Sequence, residues 1–141
     1  MADEPVSVLS QDQSWDLLGS VALGRLVTSF AGEPEIFPVN FTVQNRTVLF
    51  RTAEGAKLFS AVHHSVLFEA DDHNAAEGWS VIVRGYAKGL ATDAEITEAE
   101  HAQLLPWTAT SKTHYVRVVP TDITGRRFRF GPEPDEHAVV A

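Results

Sequence analysis

The chain has 141 residues, a hydrophobic share of 44%, a charged share of 21% and a formal net charge of -8. That is the size and composition of one globular domain with a core of its own, and the acidic balance argues against a general affinity for nucleic acid. The absence of cysteine excludes disulfides and thiolate metal sites, and no apolar run nears the ~20 residues that cross a bilayer.

Ser10 followed by Gln13 reads as a capping box that opens a short helix, with Trp15, Leu17, Leu18, Val21 and Ala22 on its buried side. "RLVTSF" (25–30) is a strand closed by a turn with Gly32 and Pro34. "IFPVNFTV" (36–43) is a second strand; Pro38 cannot donate to a ladder, so this strand is expected at an edge or irregular there. "QNR" turns tightly into "TVLFRT" (47–52), completing a hairpin.

"EGAKLFSAVHH" (54–64) has a helical pattern, and "SVLFEADD" (65–72) is a strand leading to a polar loop. "WSVIVRGYAKGLA" (79–91) is a long strand in which Gly85 and Gly89 suggest bulges or bends. "DAEITEAEHAQLL" (93–105) is an acidic helix stopped by Pro106 and Trp107. Residues 113–130 read as two strand segments bent near Pro120 and Gly125, and the residues after Gly131 as a loose tail. About six strands with short turns and few helices predict a mainly β fold, a small antiparallel barrel, rather than a doubly wound sheet.

"FRTAEGAKL" is the stretch with chemistry. At the junction of a strand and a helix, free backbone N–H groups favour an anion. Gly55 allows close backbone approach. Arg51 offers forked donors, Thr52 a hydroxyl and Lys57 a mobile charge, the parts of a phosphate cradle. The order differs from that of a nucleotide P-loop. The alternative is that Arg51 pairs with Glu54 and Lys57 is a solvated helix residue.

Other groupings carry less. Glu69, Asp71, Asp72, His73 and Asn74 alternate faces if they lie on a strand, so no metal site is expected. His63 and His64 are adjacent and cannot chelate as an i, i+4 pair. No stretch resembles a nucleophile elbow. In "GRRFRF" (125–130), alternation separates Arg127 and Arg129 from Phe128 and Phe130, which are expected to face the barrel interior.

"GRLVTS", "EIFPVNFTV", "VLFRTAEGAKL", "VLFEADD", "GWSVIVRGYA" and "LLPW" occur in the order seen in the pyridoxamine 5′-phosphate oxidase-like family. Over roughly residues 10–130 the chain resembles the short branch that contains nitroimidazole-resistance-type proteins. The resemblance implies a flavin-binding split barrel, preceded by an N-terminal arm (1–9) and followed by a flexible tail (131–141). It implies a homodimer with FMN at the subunit interface, or alternatively an 8-hydroxy-5-deazaflavin coenzyme.

By the same resemblance Arg51, Thr52 and Lys57, with Gly55, match the phosphate-holding motif. Pro38, Val39, Asn40 and Phe41 match the strand along the isoalloxazine ring. Trp79, Ser80 and Val81 match the start of the long strand near the cofactor, and Trp107 an aromatic position that reaches it. Trp79 also fits a plain core or interface residue. The implied function is a flavin-dependent oxidoreductase acting on a small molecule in the cytoplasm, with neither nucleic acid nor membrane as partner. A carrier or sensor that holds flavin without turnover is the alternative.

Overall fold

The computed structural model describes residues 4–53, 57–102, 104 and 114–132. Seven strands form one antiparallel sheet: β1 (Val6–Val8), β2 (Leu23–Phe30), β3 (Glu33–Gln44), β4 (Thr47–Thr52), β5 (Ser65–His73), β6 (Glu77–Gly89) and β7 (His114–Arg129). Their order is β1-β7-β4-β3-β2-β5-β6, and a further pairing of β6 with β7 closes β2–β7 into a barrel. The fold is mainly β, a split barrel.

Local chemistry sets the turns. Ala31 and Gly32 have φ of 52° and 79°, and Asn45 and Arg46 of 51° and 54°. Two consecutive left-handed residues twist a hairpin turn to match its strands, so β2–β3 and β3–β4 are tight hairpins. Inward positions alternate along the strands: Val39 and Phe41, Val48 and Phe50, Val66, Phe68 and Ala70, Val81 and Val83 are all buried. Phe41 meets Phe68 edge-on, with centroids 4.7 Å apart.

Two short elements close the barrel interior. Helix α1 (Gln11–Leu18) starts at the Ser10–Gln13 capping box and buries Ser14, Trp15 and Leu18. It approaches β7 so closely that a Cβ at Gly125 would lie 2.5 Å from Ser14 Oγ. A 3-10 turn (Lys57–Ala61) packs Leu58, Ala61 and neighbouring Val62 on the core. Helix α2 (Asp93–Glu100) begins at a Thr92–Glu95 capping box and is tied to the barrel by Gln44 Nε2 donating to Glu98 O at 2.7 Å.

Several expectations change: the turn expected with Gly32 and Pro34 is Ala31–Gly32 alone, because Pro34 already pairs with Ser29 in β3. The helix expected over 54–64 is, among the described residues, the single 3-10 turn, because His63 takes a φ of 72° and residues 63–64 bond to Ala87 of β6. Residues 6–8, within the expected N-terminal arm, add β1 to β7. The two segments expected over 113–130 are one strand whose register against β6 shifts between Arg84 and Gly85. Arg84 faces Asp122 while Gly85 faces Pro120, so Thr121 is the extra residue of a bulge.

That bulge swaps the faces of β7. Val116 and Val118 point inward before it, and Ile123 and Gly125 after it. Arg127 therefore shares the face of Ile123, and Phe128 lies on the outer face, the reverse of the expected arrangement. Phe130, 47% exposed, covers Gly78 from outside. Most of the expected tail lies outside the described residues. Among those described, no helix is long and apolar enough to cross a membrane.

Candidate functional site

The β3–β4 ladder ends at Phe41–Phe50. Toward its own N-terminus β3 continues along β2, with Asn40 opposite Leu23 and Pro38 opposite Arg25, but has no β4 neighbour. Pro38, which has no N–H to give, lies within this split, in accord with the irregular edge expected for it. Continued one step past its last pair, the ladder would set Asn40 level with Arg51; by strand alternation both lie on the outer face, while Val39 and Thr52 turn inward.

Arg51 is opposite Tyr115 of β7, and its guanidinium carbon stands 5.5 Å from the Tyr115 ring centroid. Such a cation–π contact orients a long side chain that would otherwise sample many rotamers. Thr52 is 2% exposed, and its hydroxyl is 3.4 Å from Ala53 O. Lys57 opens the 3-10 turn; its side chain, like Gly55 and Trp107, lies outside the described residues. A five-residue 3-10 turn carries no helix N-terminus worth the name, so anion affinity here falls to side chains such as Arg51.

Trp79, Ser80 and Val81 are elsewhere on the same surface. They pair with Asp72, Asp71 and Ala70 of β5 and with Arg127, Arg126 and Gly125 of β7. Ser80 faces outward, three strands from Asn40 and so about 14 Å across the sheet. Trp79 packs against the core, and Val81 is sealed inside at 0% exposure. The structure thus brings together Arg51, Asn40 and Pro38 on one outer face, and separates them from Ser80 by β2 and β5. The inward side chains of Val39, Phe41, Thr52 and Val81 serve the core.

Two features were missed in the sequence. Tyr115 had no local signal, because its pairing with Arg51 joins strands more than sixty positions apart. Between Asn40 and Ser80, Arg25 Nη1 donates to Glu69 Oε1 at 2.7 Å and to Asp71 Oδ2 at 3.1 Å. Burial first, then the hydrogen bond and charge of Asp71, raise the Glu69 carboxyl to about 7, with Arg25 acting in the opposite direction. A separate open groove of about 430 Å³, lined by Val27, Leu67, Arg84 and Tyr86 among others, lies farther along the outer face. Among the described residues, no cluster of three His, Asp or Glu side chains could hold a metal.

The family model for pyridoxamine 5′-phosphate oxidase matches residues 10–127. The uncharacterised protein Rv3129 of Mycobacterium tuberculosis is 71% identical over 100 residues, covering 70% of this chain and 91% of that one. The structure of the FAD binding protein from Mycobacterium smegmatis shares 60% identity, with a TM-score of 0.81 and coverage of 88% and 99% of the two chains. A Corynebacterium glutamicum structure that carries the pyridoxamine 5′-phosphate oxidase name shares 42% identity, with a TM-score of 0.82 and coverage of 92% and 98%.

Proposed function

The chain belongs to the pyridoxamine 5′-phosphate oxidase family, and on that premise we propose that it is a flavin-binding oxidoreductase acting on a small molecule. The observation that carries the reading is the outward Arg51, held over Tyr115 and level with Asn40 at the β3–β4 split. A fixed guanidinium suits a phosphate, and an amide suits the carbonyl and nitrogen edges of a flavin ring, so the donor set fits the cofactor.

Arg51 holds the phosphate next to the ribityl chain, a group common to FMN and FAD. Asn40 lies along the ring, and Lys57 adds charge at the phosphate. FMN is the proposed ligand from the motif; FAD is the natural competitor, since the Mycobacterium smegmatis relative is named for it. When bound, the flavin supplies the electron or hydride transfer. The protein binds, orients and shields it, and needs no side-chain nucleophile of its own.

The active form is a homodimer with the cofactor between subunits. The separation of Ser80 from Asn40 supports this reading, because a second copy would supply the Trp79–Ser80 side of the pocket. The test is absorption spectroscopy of protein loaded with FMN, FAD or the deazaflavin and freed of excess ligand. A retained flavin spectrum, reduced by a nicotinamide donor and reoxidised by a substrate, supports an oxidoreductase. Retention without turnover makes the protein a carrier or sensor, and a colourless protein ends the flavin reading.

A further inference from the structure

Glu69 and Asp71 stand at i and i+2 on β5, so both side chains leave its outer face. Arg25, opposite Glu69 on β2, gives the same nitrogen to both, at 2.7 and 3.1 Å. One guanidinium therefore serves two carboxyls, and the Glu69 side chain is only 24% exposed. Among the described residues, the adjoining strands bring no second cation into contact. β6 places Ile82 and Ser80 opposite Glu69 and Asp71, and β3 places Pro38 opposite Arg25.

The other charged or titratable groups on this face are more distant in register. Arg126 of β7 is opposite Ser80, and Arg84 of β6 is opposite Leu67. His73 follows Asp71 at i+2 and turns its ring edge-on to Phe130. Two acids with one shared cation, partly withdrawn from water, retain an excess negative charge that a proton relieves.

We propose that Glu69 and Asp71, clamped by Arg25, form a site that shares one proton with solvent and takes it up when an anionic ligand occupies the neighbouring Arg51–Asn40 face. The coupling rests on the flavin reading for its ligand; the proton site does not. Asp71 falls in the row of Leu23, Asn40 and Arg51, two strands or about 10 Å from Asn40 and three or about 14 Å from Arg51, beyond the Debye length of ~8 Å at physiological salt, so the coupling is read at low salt, where that length grows. At low salt a ligand phosphate on Arg51 disfavours the doubly ionised pair, and any water that the ring displaces along Asn40 acts in the same direction.

Carboxyl-carbon NMR titration of the ligand-free protein tests the site. One glutamate resonance should titrate near neutrality in the wild type, vanish in Glu69→Gln, and move down by about one pH unit or more in Asp71→Asn. Ordinary carboxylate midpoints for every residue would overturn the proposal, as would a neutral midpoint that survives Glu69→Gln. Calorimetry of FMN binding at pH 7 and low ionic strength, where the Debye length exceeds the separation, in buffers of different ionisation heat, tests the coupling. The wild type should take up a larger fraction of a proton than Glu69→Gln, a comparison that cancels protons exchanged by the FMN phosphate itself. Equal uptake with intact binding refutes the coupling. Failure to bind FMN removes the flavin reading and the coupling together, while the NMR midpoint still decides the proton site.

Discussion

Among the described residues, Arg51 is the arginine of the outer sheet that stands over an aromatic ring, 5.5 Å from the Tyr115 centroid. If it holds a flavin phosphate, Arg51→Ala removes a charged hydrogen bond of about 1.5–3 kcal/mol, which is roughly a 10- to 100-fold loss of affinity. Fluorescence quenching titrations of FMN and FAD measure it, and an unchanged dissociation constant for both would remove Arg51 from the site. Glu69 makes a prediction of the opposite kind. Its carboxyl rises from 4.5 to about 7 on folding, so between those values the folded chain binds more proton than the unfolded one. Stability therefore falls as pH rises through that window and levels off above it. Glu69→Gln keeps an oxygen for Arg25 and removes the titration. Urea midpoints should decline with pH in the wild type relative to the variant, and parallel profiles would contradict the assignment.

Among the elements, the β6–β7 pair decides most of what faces where. A Cβ at Gly85 would lie 2.3 Å from Val119 O, so Gly85→Ala must push the two strands apart at the bulge. The expected cost is about 1–3 kcal/mol in urea unfolding, and a neutral result would mean the bulge is softer than its contacts imply. Helix α2 depends instead on its start. Thr92 Oγ1 accepts from Glu95 N at 3.1 Å, and the Glu95 carboxyl, held at about 2 first by Lys88 and then by Thr92, accepts in turn from Thr92 N at 3.2 Å. Thr92→Ala should cost about 1 kcal/mol of stability. Such a loss with flavin affinity unchanged would place α2 outside the binding surface.

The barrel as a whole has a stagger that bears on where a site is complete. Followed round the sheet from Tyr115 through Arg51, Asn40, Leu23, Asp71 and Ser80, the continued register returns to β7 at Arg126, displaced along the strand as closure requires. One outer row thus carries Arg51 near one end and Ser80 near the other. If each pocket takes Arg51 from one subunit and Trp79–Ser80 from its partner, Arg51→Ala and Trp79→Ala chains are each defective alone but complementary when mixed. Random exchange between the two would restore about a quarter of the sites, since half the dimers are mixed and each has one pocket with both sides intact. Flavin bound per dimer after exchange measures this. No recovery, with each variant still dimeric, would place the whole pocket in one chain.

Much of the barrel follows from local pattern. The capping box at Ser10, the left-handed turn residues near Gly32 and Asn45, and the apolar, β-branched runs in "TVLF" and "WSVIV" each act over a few positions, and the chain alone determined them. Motif order likewise determined the family, and Pro38 announced an irregular strand because a missing N–H is a property of the residue. What only the tertiary structure decided is non-local. The ring beneath Arg51, the acid pair that shares Arg25, and the bulge that turns Phe128 outward all arise where distant strands meet. The shortened turn at Lys57–Ala61 belongs with them, because hydrogen bonds to β6 overrode a helical pattern. Side-chain periodicity tells which residues share a face of one strand; register between strands tells which faces meet, and register is set by the closure of the whole barrel.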